Sequence, residues 1–194
     1  MLSITPFNGD GFLHAEIARL MGKWKVEVAF ETGTHHGHTT IALSQLCDRT
    51  YTAEISEENH TLACELFDLA CERGNIIANL GSSPAVIEAA LPEILGARVL
   101  FYLDAHWETY WPLLDELATI RKLKAPPPII VIHDFKVPDR PDFGFDRYLD
   151  KELDFDYVRG SLDLIYGEEG FDYHFNRIAA GAHRGAIFIE PKHS

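Results

Sequence analysis

The chain has 194 residues, 46% of them hydrophobic, and a formal net charge of −13. That length suits about one domain, and the apolar share supports a substantial core. The acid excess argues against a broad phosphate-binding face, because nucleic-acid affinity rests largely on Lys and Arg. Cys47, Cys64 and Cys71 include no C-x-x-C pair and read as reduced thiols. Met1 to Asp10 lacks the basic and apolar regions of a signal peptide, so a cytoplasmic protein is expected. No apolar run approaches the ~20 residues of a membrane span.

Strands and helices alternate along the chain. Phe12 to Met21 reads as an amphipathic helix and Val26 to Glu31 as the first strand. Gly33 and Gly37 allow a tight turn into a helix over Thr39 to Leu46. Thr50 to Ile55 is the second strand, ending in Glu54. Ser56 can cap a helix reaching about Arg73, with Gly74 as its stop. Ile76 to Leu80 is the third strand. Ser83 and Pro84 make an N-cap and first-turn pair for a helix to Leu95. Val99 to Leu103 is a fourth strand, almost wholly apolar, as expected when both faces are covered.

Trp111 to Leu123 has helical spacing, with Leu113, Leu114, Leu117 and Ile120 on one side. Three prolines end it, and Ile129 to Ile132 is a fifth strand leading into His133-Asp134. Lys136 to Asp156 is too long for an ordinary connection and reads as a lid or substrate insertion. Within it, Asp146 to Asp156 reads as a solvated acidic run, and Arg140 and Arg147 as surface charges. Phe171 to Asn176 and Ala186 to Glu190 read as two strands joined by a turn at Ala180-Gly181-Ala182. The alternation predicts an α/β fold: a Rossmann-like, doubly wound, mostly parallel sheet, closed by a C-terminal antiparallel β-hairpin, in a single domain.

Polar residues gather where these strands end: Glu31, Glu54, Asp104 with His106, and His133 with Asp134. In an open α/β sheet those ends line the ligand crevice. Taken singly, each has a plainer reading. The glycines could merely shape a turn, Asp104 could cap a helix and Asp134 could stabilise a turn. His106 is either a base or a hydrogen-bonded structural residue. His35, His36 and His38 sit in a tight turn and suit a cofactor loop better than a metal cluster. Trp107, Tyr110 and Trp111 either line a substrate pocket or pack internally.

Together, Glu31-x-Gly33-x-x-x-Gly37-x-Thr39, Glu54 at 21 positions after Gly33, the Gly81-Ser82-Ser83 turn, Asp104 and the terminal hairpin resemble a class I S-adenosylmethionine-dependent methyltransferase. The resemblance covers nearly the whole chain. It implies that Glu31, Gly33 and Gly37, with Thr34 and Thr39 of the same turn, surround the methionine part of the cofactor. It further implies that Glu54 holds the ribose hydroxyls, and that Ser82 and Ser83 lie near the adenine, with Asp104 also on the cofactor side.

The nearest branch resembled is the metal-dependent O-methyltransferases of the catechol and macrolide-sugar type. By that resemblance Asp104, His133 and Asp134 would hold a divalent metal (magnesium, manganese or another). His133 departs from the branch's oxygen ligands. Either it suits a softer ion than magnesium, or it is no ligand. The implied activity is O-methylation of a hydroxylated small molecule, with Asp104, His106 and His133 as catalytic candidates. Without a metal, His106 or His133 could be the general base.

Two other readings stay open. One is an NAD(P)-dependent oxidoreductase, although G-x-G-x-x-G is absent; the other is a non-catalytic cofactor-binding protein. No nucleic-acid or membrane partner is expected, and a homo-oligomer is left open.

Overall fold

The computed structural model describes residues 5–70, 74–106, 110–123 and 125–192. Nine strands and six α-helices follow among them, opened by a 3-10 turn at Pro6–Gly9. In order they are α1 (Gly11–Trp24), β1 (Val28–Thr32), α2 (His38–Ser44), β2 (Arg49–Glu54), α3 (Glu57–Ala70), β3 (Ile76–Leu80), α4 (Ser83–Ile94) and β4 (Val99–Leu103). Then come α5 (Leu113–Ile120), β5 (Ile129–His133), β6 (Arg147–Tyr148), β7 (Lys151–Glu152), α6 (Phe155–Tyr166), β8 (Phe171–Phe175) and β9 (Ala186–Pro191).

Seven strands form one sheet in the order β3-β2-β1-β4-β5-β9-β8. The first five are parallel, and β9 runs antiparallel to both β5 and β8. The expected sheet and terminal hairpin are therefore both present. β6 and β7 form a separate antiparallel pair.

The centre of the sheet is buried on both faces because its strands alternate apolar residues between two cores, while the edge strands β3 and β8 are partly exposed. Val28, Phe30, Phe101, Leu103, Ile130 and Ile132 face α4, α5 and α6, which contribute Ile87, Leu117 and Leu162. Ala29, Leu100, Tyr102 and Val131 face α1 and α2, which contribute Ile17, Leu20 and Leu43. Asp10 caps α1 by accepting from the Phe12 and Leu13 amides, which have no partner inside the helix.

Several expectations need correction. Leu114 is exposed while Leu113, Leu117 and Ile120 are buried, because the buried stripe runs through 113, 116, 117 and 120 and Leu114 lies about 100° round the helix from Leu113. The N-cap position of α4 is Ser82, and Ser83 is already inside the helix. Cys71, Arg73 and Trp107 lie outside the described residues.

A whole helix, α6, is absent from the expectations. Its signals are the Asp154 cap, which accepts from the Tyr157 amide at 3.1 Å, and the buried pair Val158 and Leu162. The acidic run before it is not uniformly solvated: Leu153 is buried and Asp146 is half-buried. Arg140 and Arg147 do pair at the surface, with Asp142 and Glu152.

Candidate active site

Register decides which residues meet. Thr32 stands opposite both Ala53 and Leu103, and Leu103 opposite Ile132. The next residue on each strand is Gly33, Glu54, Asp104 or His133, so these four share one level at the sheet's C-terminal edge. The amides of Gly33 and Thr34 continue the ladder onto the Ala53 carbonyl at 3.0 and 3.3 Å. A crevice of about 640 Å³ opens along this edge, within the usual range for a small-molecule site. Of the expected residues, Gly33, Glu54, Ser82, Ser83, Asp104, His106 and Asp134 line it.

Gly33 has φ +80°, and a Cβ there would stand 2.9 Å from the Asp104 carbonyl oxygen. Glycine thus lets the loops after β1 and β4 touch and leaves the crevice floor open. Glu54 is held at the wall by two backbone amides. His35 N–H donates to Oε2 at 2.7 Å and Ser56 N–H to Oε1 at 2.9 Å. Each carboxylate oxygen keeps acceptor capacity for vicinal hydroxyls.

The other expected cofactor residues build the loop from behind. Glu31 is buried, accepting from Thr40 and, at 2.8 Å, from Thr52. Because the Thr52 hydroxyl donates to Glu31, Thr34 must donate to Thr52 at 2.6 Å. Burial pushes the Glu31 carboxyl up to about 8, against the two threonine donors. Thr39 accepts the Phe7 amide at 2.9 Å, which ties the turn carrying crevice-lining Asn8 to the loop. Gly37 has φ +80°, and its missing Cβ makes room for the Phe67 ring. None of these four residues lines the crevice, nor does His133.

Asp104 and Asp134 form the acidic end. His133 Nδ1 lies 3.0 Å from Asp104 Oδ1 and 3.2 Å from Asp134 Oδ1. Burial works against the imidazolium, but the field and hydrogen bond of Asp104, with Asp134 beyond, raise the His133 pKa to about 9. Tyr102 donates to Asp104 Oδ2 at 3.3 Å. His106 is exposed and lines the crevice.

Tyr110 also lines the crevice, its hydroxyl donating to Asp115 at 2.5 Å. Trp111 instead packs inward on Tyr157, with ring centroids 5.0 Å apart. The two aromatics therefore divide between the two readings weighed for them.

Two charged partners behind the crevice were not anticipated. Glu116 is buried behind Ser83, whose hydroxyl donates to it, and burial raises the Glu116 carboxyl to about 7. This bond commits the Ser83 hydroxyl, leaving Ser82 the freer of the serine pair. Arg184, from the β8–β9 connection, pairs with both Asp134 and Asp146. Neither is legible locally: Glu116 looks like a helix-surface acid, and Arg184 lies 50 positions from Asp134.

No protein-family model matches the sequence, and no curated protein matches it at significant sequence similarity. Solved structures do match it. The O-methyltransferase from Bacillus cereus, in complex with SAH, superposes with a TM-score of 0.70 at 17% identity, over 94% of this chain and 81% of that one. This chain has the class I methyltransferase fold.

The O-methyltransferase TomG from Streptomyces achromogenes, in complex with SAM, shares this methyltransferase fold with a TM-score of 0.64. Identity is 16%, over 93% of this chain and 80% of that chain. A putative rRNA-methylase from Clostridium thermocellum shares it at 13% identity, with a TM-score of 0.57, over 91% and 94% of the two chains. Neighbours that differ in acceptor make the fold silent on what is methylated.

The crevice fits the cofactor that this methyltransferase fold implies. Its floor is cleared by Gly33, its wall carries a fixed acceptor in Glu54, and its acidic end suits a sulfonium. The donors expected for a metal fit less well. Asp104, His133 and Asp134 do converge, as do His106, Asp134 and Asp146. Arg184, however, already holds two of these carboxylates, and an imidazole takes the place of an oxygen ligand.

Proposed function

We propose that this protein is an S-adenosylmethionine-dependent methyltransferase acting on a hydroxyl oxygen of a small molecule, within one domain. The observation that carries the reading is the shared level of Gly33, Glu54 and Asp104 at the crevice. When bound, the cofactor supplies an electrophilic methyl group on a sulfonium.

Glu54 accepts the ribose hydroxyls, already oriented by the His35 and Ser56 amides. Ser82 and Ile55 border the base. Asp104, itself held by Tyr102 and His133, sets the negative field at the methyl end. Such preset dipoles and charges require no rearrangement during the reaction. His106, exposed at the crevice beside Asp104, takes the proton that the acceptor hydroxyl must lose; His35, the other crevice-lining histidine, belongs to the loop whose amide holds Glu54. His133 is buried behind Asp104 and holds its own proton. Its part is to fix Asp104. Holding the acceptor oxygen in line with the methyl group supplies much of the remaining rate.

The test is mass spectrometry of ligands retained on purification, followed by a methyl-transfer assay against pooled hydroxylated metabolites. Retained adenosyl thioether and methylated products support the reading. Calorimetric binding of NADH in preference to S-adenosylmethionine refutes it.

A further inference from the structure

Two three-donor groups share Asp134 at the acidic end of the crevice. In each, Asp104 with His133 or His106 with Asp146, the ligand atoms lie within 4.8 Å of one another and of Asp134. Carboxylates gathered this closely and partly buried need compensating positive charge. The chain provides it internally. Arg184 donates from Nε to Asp134 Oδ1 and from its terminal nitrogen to Asp146 Oδ1.

This pairing is built into the backbone and is no chance surface contact. Asn176 Nδ2 donates to the Arg184 carbonyl at 3.0 Å, and Asn176 Oδ1 accepts the Ala186 amide at 2.8 Å, so the residue is clamped on both sides. Gly144 lies against the arginine side chain. A Cβ there would stand 2.9 Å from a guanidinium nitrogen and 3.0 Å from Cδ. The Gly144 amide donates to the His183 carbonyl at 2.8 Å, and its carbonyl accepts the Gly185 amide at 2.9 Å. The Asp146 amide donates to the Asp134 carbonyl at 2.8 Å. Segment 136–152 is thereby stitched to β5 and to the β8–β9 turn around one guanidinium.

We propose that Arg184 is a resident cation at the acidic end of this crevice, beside His133, standing where a divalent ion would need to bind. A divalent ion in the Asp104 group would have to take Asp134 from the guanidinium, and one in the His106 group both Asp134 and Asp146, leaving that fixed charge partly buried beside a dication. Separating a partly buried pair in this way is costly. Arg184 does not line the crevice and is a positioning residue: it holds Asp134 and neutralises part of the acidic end. The inference concerns the same crevice as the methyl-transfer reading. Its test is a binding measurement that stands whether or not turnover is found.

The test titrates the full chain with manganese(II) chloride and follows the free-ion electron paramagnetic resonance signal. Wild type is expected to leave that signal undiminished. Arg184→Ala is expected to bind manganese at least about tenfold more tightly than wild type. The gain should vanish in Arg184→Ala combined with Asp134→Asn. Should circular dichroism show Arg184→Ala unfolded, Arg184→Met, which keeps the aliphatic stem beside Gly144, carries the same reading. Stoichiometric manganese binding by wild type overturns the proposal. So does failure of every folded Arg184 variant to gain affinity, because the guanidinium would then be blocking nothing.

Discussion

The His35 amide donates to Glu54 Oε2 across 2.7 Å, linking the loop after β1 to the end of β2. With the Ser56 amide on the other oxygen, the carboxylate is held from both sides before any ligand arrives. Glu54→Gln replaces one acceptor oxygen by a donor and removes the charge. Hydrogen bonds to a charged group are each worth about 1.5–3 kcal/mol. Affinity for S-adenosylhomocysteine should fall about 10- to 100-fold in calorimetry, with little change in secondary structure by circular dichroism.

Gly37 makes a sharper test of what a motif glycine does. Its Cβ would fall 2.4 Å from the Phe67 ring, and its φ is +80°. Gly37→Ala should destabilise by about 1–3 kcal/mol. Combined with Phe67→Leu, which clears part of that space, the loss in denaturant titrations should be smaller than the sum of the two single losses. Strict additivity would mean that the glycine answers to something other than helix packing.

Glu31 gives a pH signature. Its carboxyl is raised from an ordinary 4.5 to about 8 by burial. The folded state therefore binds a proton that the unfolded chain has already released between those values. The stabilising contribution is full below pH 4.5 and is lost as pH rises through about 8. Glu31→Gln keeps a neutral side chain at every pH. It should be more stable than wild type at pH 9, by an amount on the order of 2–4 kcal/mol at about 1.4 kcal/mol per pH unit. The advantage should shrink toward pH 5, as measured by thermal melts across that range. A gap that stays constant with pH would rule out the buried neutral acid.

His106 and His133 are separable by kinetics. His106 faces the crevice, whereas His133 lies behind Asp104. If His106 is the base, His106→Ala should lower kcat by about 10²- to 10⁴-fold and leave S-adenosylhomocysteine affinity within about threefold. Unchanged kcat across the pH profile would remove the residue from the mechanism.

Much of this architecture follows from local pattern. The runs 99–103 and 129–132 are made of apolar and aromatic residues, a pattern that suits strands covered on both faces, and with the shorter run 76–80 they appear as β4, β5 and β3 within one residue of their expected ends. β4 and β5 are indeed buried throughout, whereas β3 at the sheet edge is only partly covered. The acids at strand ends were legible because a carboxylate closing an apolar run is out of place unless a crevice receives it. α6 escaped because its apolar stripe, with Val158 and Leu162 as its buried residues, is narrow and surrounded by acids and aromatics.

What lay beyond the sequence is which side chains face the ligand. Glu31 and Glu54 both end apolar runs, yet one sits under the loop among threonines and the other lines the crevice. Strand periodicity sends alternate residues to opposite faces, and only the register between strands says which face meets the opening. Arg184 reaches Asp134 and Asp146 because β9 pairs with β5 and brings the β8–β9 turn beside them. Charge partners so far apart in sequence leave no local signal. Their meeting is decided by strand pairing in three dimensions, and with it the character of the acidic end of the crevice.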